Sequence, residues 1–465
     1  MPDRWSFLRT EANRALDINN VPGAAVAVTD GRELLFAEGF GQKGLRDTSP
    51  VQADTRFAIA SISKGMTALV TGQTLREHGL SYDTPVKSIL RNFALPDAYA
   101  SEHCTVRDLL LHRAGLPSGD TMWWRRPLSE DEIVELLPHV PPGKPFRTAF
   151  QYQNLHFAAV SAILRTLTGT SWHQLIREKL FVPLGMHSAG STVPELQRDT
   201  NHAWPVGPNG FGPQREWQFL ELYGGASAGQ VCCSAPDLAR YCRMVLNNGE
   251  DTVHPDIVKD CTTPQWFLSQ ELWPEMLFHT VGLGWLQQVY RGEICWSGAG
   301  GMDGFVSHCY VLPKRGLAAV AFANRTSACV AQALAVLALD VAAGFDPLPW
   351  VDRYTEQKRA YRKAGEERQA KRHTRVDRTM GVDETCVGTY THPACGGVTI
   401  TAEGGALRVR YYSIDAQALP YDRNAYGLFD ADDQVEHDIT FSDDRQSLQW
   451  RVMNSIEVPV FRKCK

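Results

Sequence analysis

Several features that define other classes of protein are missing from this chain of 465 residues. No apolar run reaches the ~18 residues that a membrane-spanning helix requires, so we predict no membrane segment. The N-terminal stretch "MPDRWSFLRTEANRALDINN" lacks a basic region followed by a hydrophobic one, which predicts a cytoplasmic protein without a secretory signal peptide. The formal net charge is only -5, which gives no basic surface for nucleic acid or an anionic membrane.

The cysteines also lack the spacing that a disulfide framework or a zinc site would need. Their number, 11, is odd, and no C-x-x-C pair occurs. Several lie in apolar, strand-like runs such as "EICWSG" and "SHCYVL", where a free cysteine behaves as a small buried hydrophobic residue. We therefore expect reduced thiols, no metal site and no cofactor.

The hydrophobic pattern of the first three quarters of the chain indicates a mixed fold. "GAAVAVTDGRELLFAEGFG" predicts two strands joined at Asp30-Gly31. Helix-like patterns dominate from residue 61 to about residue 340, and strand-like runs return at "EICWSG", "GFVSHCYVLP" and "GLAAVAFAN". A sheet built from both ends of this region, around a helical insert, predicts an α+β fold with a discontinuous sheet or three layers.

A charged segment separates this region from a second one. The arginine- and lysine-rich residues 354–378 fit a solvated helix and linker, and a nucleic-acid arm is an alternative without motif support. Short alternating strands separated by Gly, Asp and Asn turns follow, which predicts a small antiparallel barrel or sandwich. The predicted domains are residues 1–350, a charged helical linker 351–382, and residues 383–465.

Ser61 and Lys64 in "AIASISKGMT" stand one helical turn apart, so both side chains project from the same face of a helix. A serine hydroxyl becomes a strong nucleophile only when a neighbouring base takes its proton. Lysine can be that base if burial or nearby positive charge lowers its pKa. The surrounding residues are apolar or small, which favours a buried pair, although an ordinary solvated pair has the same spacing.

Two further stretches supply groups that an acyl-transfer site would use. Tyr152 and Asn154 in "FQYQNLHFAAVSAIL" follow a turn-rich approach, where a tyrosine could relay protons and an asparagine could bind a substrate amide or the lysine. The strand "CWSGAGGMDGFVSHCYVLP" contains small residues that allow close approach of a substrate. Its backbone N–H groups could donate to an oxyanion. A structural aromatic and a Gly-rich turn without function are the alternatives.

In this order, "SISK", "YQN" and "WSG" resemble the S-x-x-K, Y-x-N and K/H-x-G motifs of the serine β-lactamase and D-peptidase superfamily. The class C-like branch, with its family VIII esterases and penicillin-binding-protein-like members, is the most similar. The flanking phrases "TVRDLLLHRAGLPSG", "PGKPF", "FVPLGM" and "VGLGW" also match, from about residue 5 to residue 345. The resemblance implies a three-layer β-lactamase/transpeptidase-like domain with a discontinuous antiparallel sheet and a helical insert. Residues 386–463 resemble the lipocalin-like β-barrel domain that follows many of these proteins.

The resemblance also implies a role for each motif residue. Ser61 would be the nucleophile that forms the acyl-enzyme, and Lys64 would be its general base. Tyr152 would share proton transfer, and Asn154 would hold the lysine and the substrate's amide or ester. The backbone N–H groups of Ser61 and Ala299 would form the oxyanion hole.

The third motif departs from the superfamily pattern because Trp296 stands where Lys or His normally opens the triplet. With Ser297 and Gly298, it would line the substrate site. Tryptophan offers an apolar wall and one N–H donor but no charge for a substrate carboxylate. The departure argues against an efficient β-lactamase and favours an ester, a thioester or a D-residue-containing peptide or amide.

Further substrate contacts are expected from Trp123, Trp124 and Tyr223 in the insert, and from Arg451 in the terminal barrel. An aromatic wall suits hydrophobic acyl groups or peptides, although ordinary packing would explain the same residues. Three functions remain open on the sequence alone. The first is a serine hydrolase acting as an esterase or peptidase. The second is an acyltransferase or peptide cyclase that passes the acyl group, including one from a carrier, to an alcohol or amine. The third is a non-catalytic binding protein.

Overall fold

The computed structural model describes residues 3–120, 122–208, 214–326, 328–377, 379–430 and 437–464. They contain an eight-stranded antiparallel sheet with helices on both faces, followed by a closed eight-stranded barrel. The predicted α+β class, with a β-lactamase/transpeptidase-like domain and a terminal antiparallel barrel, is confirmed. The domain boundaries placed at residues 350 and 383 remain predictions.

The strands belong to the large sheet, to the barrel and to two short ladders. They are β1 (Gly23–Thr29), β2 (Leu34–Gly41), β3 (Phe57–Ala58), β4 (Val206–Pro208), β5 (Gln214–Glu216), β6 (Cys232–Cys233), β7 (Trp266–Trp273), β8 (Met276–Val281), β9 (Leu286–Tyr290), β10 (Glu293–Met302), β11 (Phe305–Leu312), β12 (Leu317–Ala323), β13 (Gly388–His392), β14 (Gly396–Glu403), β15 (Ala406–Tyr411), β16 (Ile414–Pro420), β17 (Ala425–Phe429), β18 (His437–Phe441), β19 (Ser447–Trp450) and β20 (Val460–Lys463).

The helices lie mostly in the insert between β2 and β7. They are α1 (Ser6–Asn19), α2 (Ser63–Glu77), α3 (Val86–Ile89), α4 (Ala98–His103), α5 (Val106–Leu110), α6 (Glu130–Leu136), α7 (Leu155–Thr168), α8 (Trp172–Ile176), α9 (Val193–Leu196), α10 (Ala235–Leu246), α11 (Pro255–Thr262), α12 (Val330–Ala343) and α13 (Trp350–Thr374). Short 3-10 turns occupy Ala60–Ile62, Leu137–His139, Tyr223–Ala228, Pro313–Arg315 and Glu384–Cys386, and a π turn occupies Arg177–Phe181.

The large sheet has the order β2-β1-β12-β11-β10-β9-β8-β7. Strands β1 and β12, "GAAVAVT" and "LAAVAFA", are buried at every residue, because helices cover both faces of the sheet. Alternate residues enter two separate cores, so Ala25 packs on the side of α2, α7 and α10, while Val26 packs on the side of α1 and α12. The hairpin predicted around Asp30-Gly31 is confirmed by the antiparallel pairing of β1 with β2.

Strands β7, β8 and β9 were not predicted, because the sequence interpretation treated this part of the insert as mainly helical. Two register shifts interrupt the pairing of β7 with β8, between Phe267 and Ser269 and between Glu271 and Trp273. A bulge breaks the period-2 alternation that identifies a strand in a sequence. The sheet therefore extends three strands beyond β10.

The terminal barrel closes where β13 pairs with β20, at Tyr390 with Lys463 and Thr391 with Arg462. Its centre holds large buried side chains such as Tyr411, Trp450 and Phe461. The predicted charged linker forms α13, whose first turn packs into the core through Trp350. No helix in the described ranges is long and apolar enough to cross a membrane.

Candidate active site

Ser61 lies in the 3-10 turn that leads directly into α2, so its side chain stands at the helix N-terminus. The turn is tight, and the buried Ala60 before the serine adopts a left-handed conformation with φ 47°. Such a conformation is costly for a residue with a Cβ and persists only where the surroundings hold it. Ser63 supplies part of that support, because its hydroxyl donates to the Ala60 carbonyl at 2.6 Å and accepts from the Val231 N–H at 3.1 Å.

Three polar groups meet at the Ser61 hydroxyl. Lys64 Nζ lies 3.1 Å from Ser61 Oγ, and the Tyr152 hydroxyl donates to the same oxygen at 2.8 Å. The lysine comes from the next turn of α2, whereas Tyr152 lies just before α7 and is brought in by the tertiary fold. This arrangement gives a serine oxygen one potential base and one potential proton donor.

Lys64 is buried, with 4% of its surface exposed. Burial lowers the pKa of Lys64 from 10.5 to about 7, and the negative charge of Asp120 partly opposes this shift. The amine also donates to the Ala228 carbonyl at 2.6 Å, which fixes its position beside Ser61. A substantial fraction of Lys64 is therefore neutral near pH 7 and able to accept a proton.

Tyr152 is supported from behind by His112, whose ring stacks on the tyrosine ring with a centroid separation of 4.6 Å. The Gln153 N–H donates to His112 Nδ1 at 3.0 Å, and the Gln151 N–H donates to the His112 carbonyl at 2.8 Å. Desolvation raises the pKa of the Tyr152 hydroxyl above its usual value, while the hydrogen bond with Ser61 lowers it. Tyr152 thus stays protonated near neutral pH and donates to Ser61.

Asn154 makes a contact that the sequence interpretation did not anticipate. Its side-chain amide donates to Asp120 Oδ1 at 2.8 Å, and the indole N–H of Trp123 donates to the same oxygen at 2.8 Å. Trp123, predicted as a pocket wall, is 2% exposed and serves here to hold Asp120. Nothing in the sequence singled out Asp120, although it ends the phrase "GLPSGD" within a segment that matches the superfamily.

Strand β10 runs beside the Ser61 turn at very close range. A Cβ added to Gly300 would lie 2.1 Å from the Ile59 carbonyl oxygen, and one added to Gly298 would lie 3.5 Å from Ile62. Strand β9 pairs with β10 only as far as Ser297, so residues 298–302 have β11 as a neighbour on one side alone. Ala299 in this segment is exposed, and its predicted part in an oxyanion hole stays a prediction.

Trp296 is half-buried and packs against the core on the α2 side of the sheet, and Ser297 is buried next to it. Trp124 is half-buried, with its ring 5.4 Å from that of Trp123, and Tyr223 is 46% exposed. The predicted contacts of these residues with a substrate stay predictions.

The terminal barrel touches the segment that carries Asp120. The Asn454 N–H donates to the Ser118 carbonyl at 2.7 Å, and Met453 packs so closely on Gly119 that an added Cβ there would lie 2.7 Å away. Arg451, predicted to contact a substrate carboxylate, is exposed and donates to the Ser455 carbonyl of its own loop at 2.8 Å. The barrel therefore supports the rim of the site through backbone contacts.

The site contains no donor set for a metal ion, and no group of three His, Cys, Asp or Glu side chains that could hold one occurs in the described ranges. The side chains bring a hydroxyl, a partly neutral amine and a phenol to one point, and the backbone adds N–H groups. These groups suit nucleophilic acyl transfer, in which the hydroxyl attacks a carbonyl carbon.

Known structures share this architecture. A penicillin-binding protein homologue from Pyrococcus abyssi, described as octameric, superposes with a TM-score of 0.67 at 18% identity, over 98% of this chain and 99% of its own. A class C β-lactamase from Rhodobacter sphaeroides has a TM-score of 0.59 at 20% identity, over 73% of this chain and 99% of its own. At these identities, the similarity shows the fold alone.

Curated relatives resemble the catalytic region. An unguisins hydrolase from Aspergillus campestris is 29% identical over 67% of this chain, and penicillin-binding protein 4 from Amycolatopsis lactamdurans is 29% identical over 69% of this chain and 84% of its own length. A D-aminopeptidase from Cereibacter sphaeroides is 31% identical over 41% of this chain and 37% of its own length. This chain spans 60% of that unguisins hydrolase and 66% of a second one, from Aspergillus violaceofuscus. The β-lactamase family profile matches residues 10–343, and the chain therefore belongs to the β-lactamase family.

Proposed function

We propose that this protein is a serine hydrolase that forms a covalent acyl-enzyme through Ser61. The observation that carries the proposal is the convergence of Lys64 Nζ and the Tyr152 hydroxyl on Ser61 Oγ, at 3.1 and 2.8 Å. Burial also lowers the pKa of Lys64 to about 7, where the amine can take the serine proton at physiological pH. A non-catalytic binding protein would have no need for an uncharged, buried lysine beside a serine.

The reaction follows from these positions. Lys64 accepts the hydroxyl proton while Ser61 Oγ bonds to the substrate carbonyl carbon, and the N–H groups of Ser61 and Ala299 receive the oxyanion. As the tetrahedral intermediate collapses, its bond to the leaving oxygen, sulfur or nitrogen breaks. Tyr152 gives that atom a proton and regains one from Lys64. Water then attacks the acyl-enzyme carbonyl carbon through the same proton transfers, the bond to Ser61 Oγ breaks, and the acid is released.

The substrate we propose is an ester, a thioester, or an amide of a D-residue-containing peptide. Trp296 offers no positive charge to a substrate carboxylate, which disfavours penicillins. The name of a D-aminopeptidase among the relatives supports hydrolysis of amide bonds, and that of an unguisins hydrolase supports a hydrolase. An alcohol or an amine could replace water as the acceptor, including for an acyl group delivered by a carrier, and this transferase alternative uses the same acyl-enzyme.

Ser61→Ala tests the proposal, with the exposed Ser88→Ala as the matched control. Hydrolysis of p-nitrophenyl butyrate should fall at least about 1,000-fold in Ser61→Ala and remain unchanged in the control. A fluorophosphonate probe should label the peptide containing Ser61 in the wild-type protein. Undiminished hydrolysis by Ser61→Ala would show that another group is the nucleophile. Product partition between water and an added amine then separates hydrolase from transferase.

A further inference from the structure

Asp120 is the one carboxylate that the candidate active site holds without an evident structural need for its charge. Its Oδ1 accepts from both Asn154 and Trp123, at 2.8 Å each, which fixes the orientation of the carboxylate group. No described residue donates to Oδ2, and the residue is half-buried. A neutral asparagine at position 120 could serve the same two donors equally well.

Asp120 forms no ion pair within 4 Å with a described residue, and the positive group that its charge affects is the partly neutral Lys64. The arginines of the same loop are engaged elsewhere, because Arg125 pairs with Asp303 and Arg126 binds the Ala394 carbonyl and stacks on Tyr412. An unpaired charge in a partly desolvated cleft is costly unless a ligand of opposite sign completes it.

Asp120 is close enough to the reacting groups to influence both of them. Its charge raises the pKa of Lys64 against the effect of burial, and it raises that of Tyr152 as well. Asn154, which binds Asp120, lies two residues from Tyr152 at the start of α7. Lys64 is partly neutral near pH 7 and Trp296 is uncharged, so neither fully offsets the charge of Asp120.

We propose that Asp120 Oδ2 binds the ammonium group of the substrate, so that the protein acts on amides or esters of amino acids and peptides with a free N-terminal amine. The inference rests on the proposed function, because it requires the acyl carbon to bond to Ser61 Oγ. In an aminoacyl group, the α-amine is one carbon away from that carbonyl, on the acyl side of the bond that breaks. Asp120 would therefore bind the α-ammonium group, and Ser61 the carbonyl carbon, of the same substrate residue.

Asp120→Asn tests the proposal, since the amide oxygen can still accept from Asn154 and Trp123 while the charge is lost. A panel of D- and L-aminoacyl p-nitroanilides is compared with the same compounds carrying an N-acetyl group. In the wild-type protein the free amines should be the better substrates. The ratio of kcat/KM for free to acetylated amine should fall roughly 10- to 100-fold in Asp120→Asn, the range expected for a hydrogen bond to a charged group. The exposed Asp131→Asn should keep the wild-type ratio.

A second measurement needs no variant. Inhibition of p-nitrophenyl butyrate hydrolysis by 1-aminoethylboronic acid is compared with inhibition by isopropylboronic acid, in which a methyl group replaces the ammonium. Tighter inhibition by the amine supports the proposal, and equal or weaker inhibition overturns it. An unchanged kcat/KM ratio in Asp120→Asn also overturns it, while Ser61-dependent ester hydrolysis leaves the proposed function intact. If Ser61→Ala keeps its activity, the proposed function fails and this inference fails with it.

Discussion

Replacing Lys64 by methionine should stabilise the protein at neutral pH while it removes the proposed base. Burial lowers the pKa of this lysine from 10.5 to about 7, so the folded pKa lies below the unfolded one. Between these two pH values the unfolded chain binds more protons than the folded chain, and stability must rise as the pH rises. At pH 7 the wild-type protein is therefore less stable, because folding favours removal of the proton from Lys64. This loss of stability disappears near pH 10.5.

The size of that penalty follows from the two pKa values. At pH 7 the free energy of unfolding is ~4 kcal/mol lower than it would be if Lys64 had the same pKa in the folded and unfolded chain. Methionine has a similar length and no charge, so it avoids this penalty. It also leaves the Ala228 carbonyl without the donor at 2.6 Å, which costs ~1–3 kcal/mol. We expect a net gain of ~1–3 kcal/mol at pH 7 and a net loss at pH 10.5.

Thermal unfolding at a series of pH values measures this change of sign. For a domain of this size, each kcal/mol corresponds to a Tm shift of about 1–2 °C. The exposed Lys314→Met is the matched control and should follow the wild-type protein at every pH. A Tm for Lys64→Met that is not raised at pH 7, or a difference from wild type that does not change with pH, would refute the reasoning that burial neutralises Lys64.

Three further substitutions probe strand β10. Gly300→Ala should lower kcat at least about 10-fold and destabilise the protein by ~1–3 kcal/mol, because its Cβ would lie 2.1 Å from the Ile59 carbonyl oxygen. The Cβ of Gly301→Ala meets nothing within 4 Å, so this control variant should keep the kcat and the stability of the wild-type protein. If Gly300→Ala and Gly301→Ala have the same kcat in steady-state assays, the close approach of Gly300 to Ile59 is contradicted. Trp296→Lys should accelerate acylation by a fluorescent penicillin about 10-fold by supplying a charge for its carboxylate, and an unchanged labelling rate would remove that explanation of the tryptophan.

The parts of the site that depend on local spacing could be predicted from the sequence. Ser61 and Lys64 are close because they share a helix face, which a pattern of four residues already indicates. The position of Tyr152 at the same oxygen depends on how α7 packs beside α2, and only the resemblance to a known family indicated it. The sheet strands β1, β2 and β10 to β12 were likewise visible as apolar runs, whereas the bulged β7 and β8 were not.

The contacts of Asp120 and His112 could not be predicted from the sequence, because the tertiary fold brings their partners together. The contacts of Asp120 come from Trp123 on its own loop and from Asn154 at the start of α7, and the contact of His112 is its stacking on Tyr152. Neither residue belongs to a motif whose spacing carries chemistry. The sequence interpretation expected the aromatic ring of Trp123 to contact a substrate. In the structure the ring is buried, and the indole N–H binds Asp120.

The pairing of β1 with β12 has a consequence for how the protein is made. Thr29 lies opposite Ala318, so the first strand of the central sheet must wait for the last one before either is fully paired. At ribosomal rates this delay lasts about 15–60 s, and pairing over such a separation in the chain is slow in itself. Strand β10, which lies against the Ser61 turn, also emerges late. A nascent chain therefore presents Ser61 without its surroundings, and the proposed nucleophile acquires them only when synthesis of residues 1–323 is nearly complete.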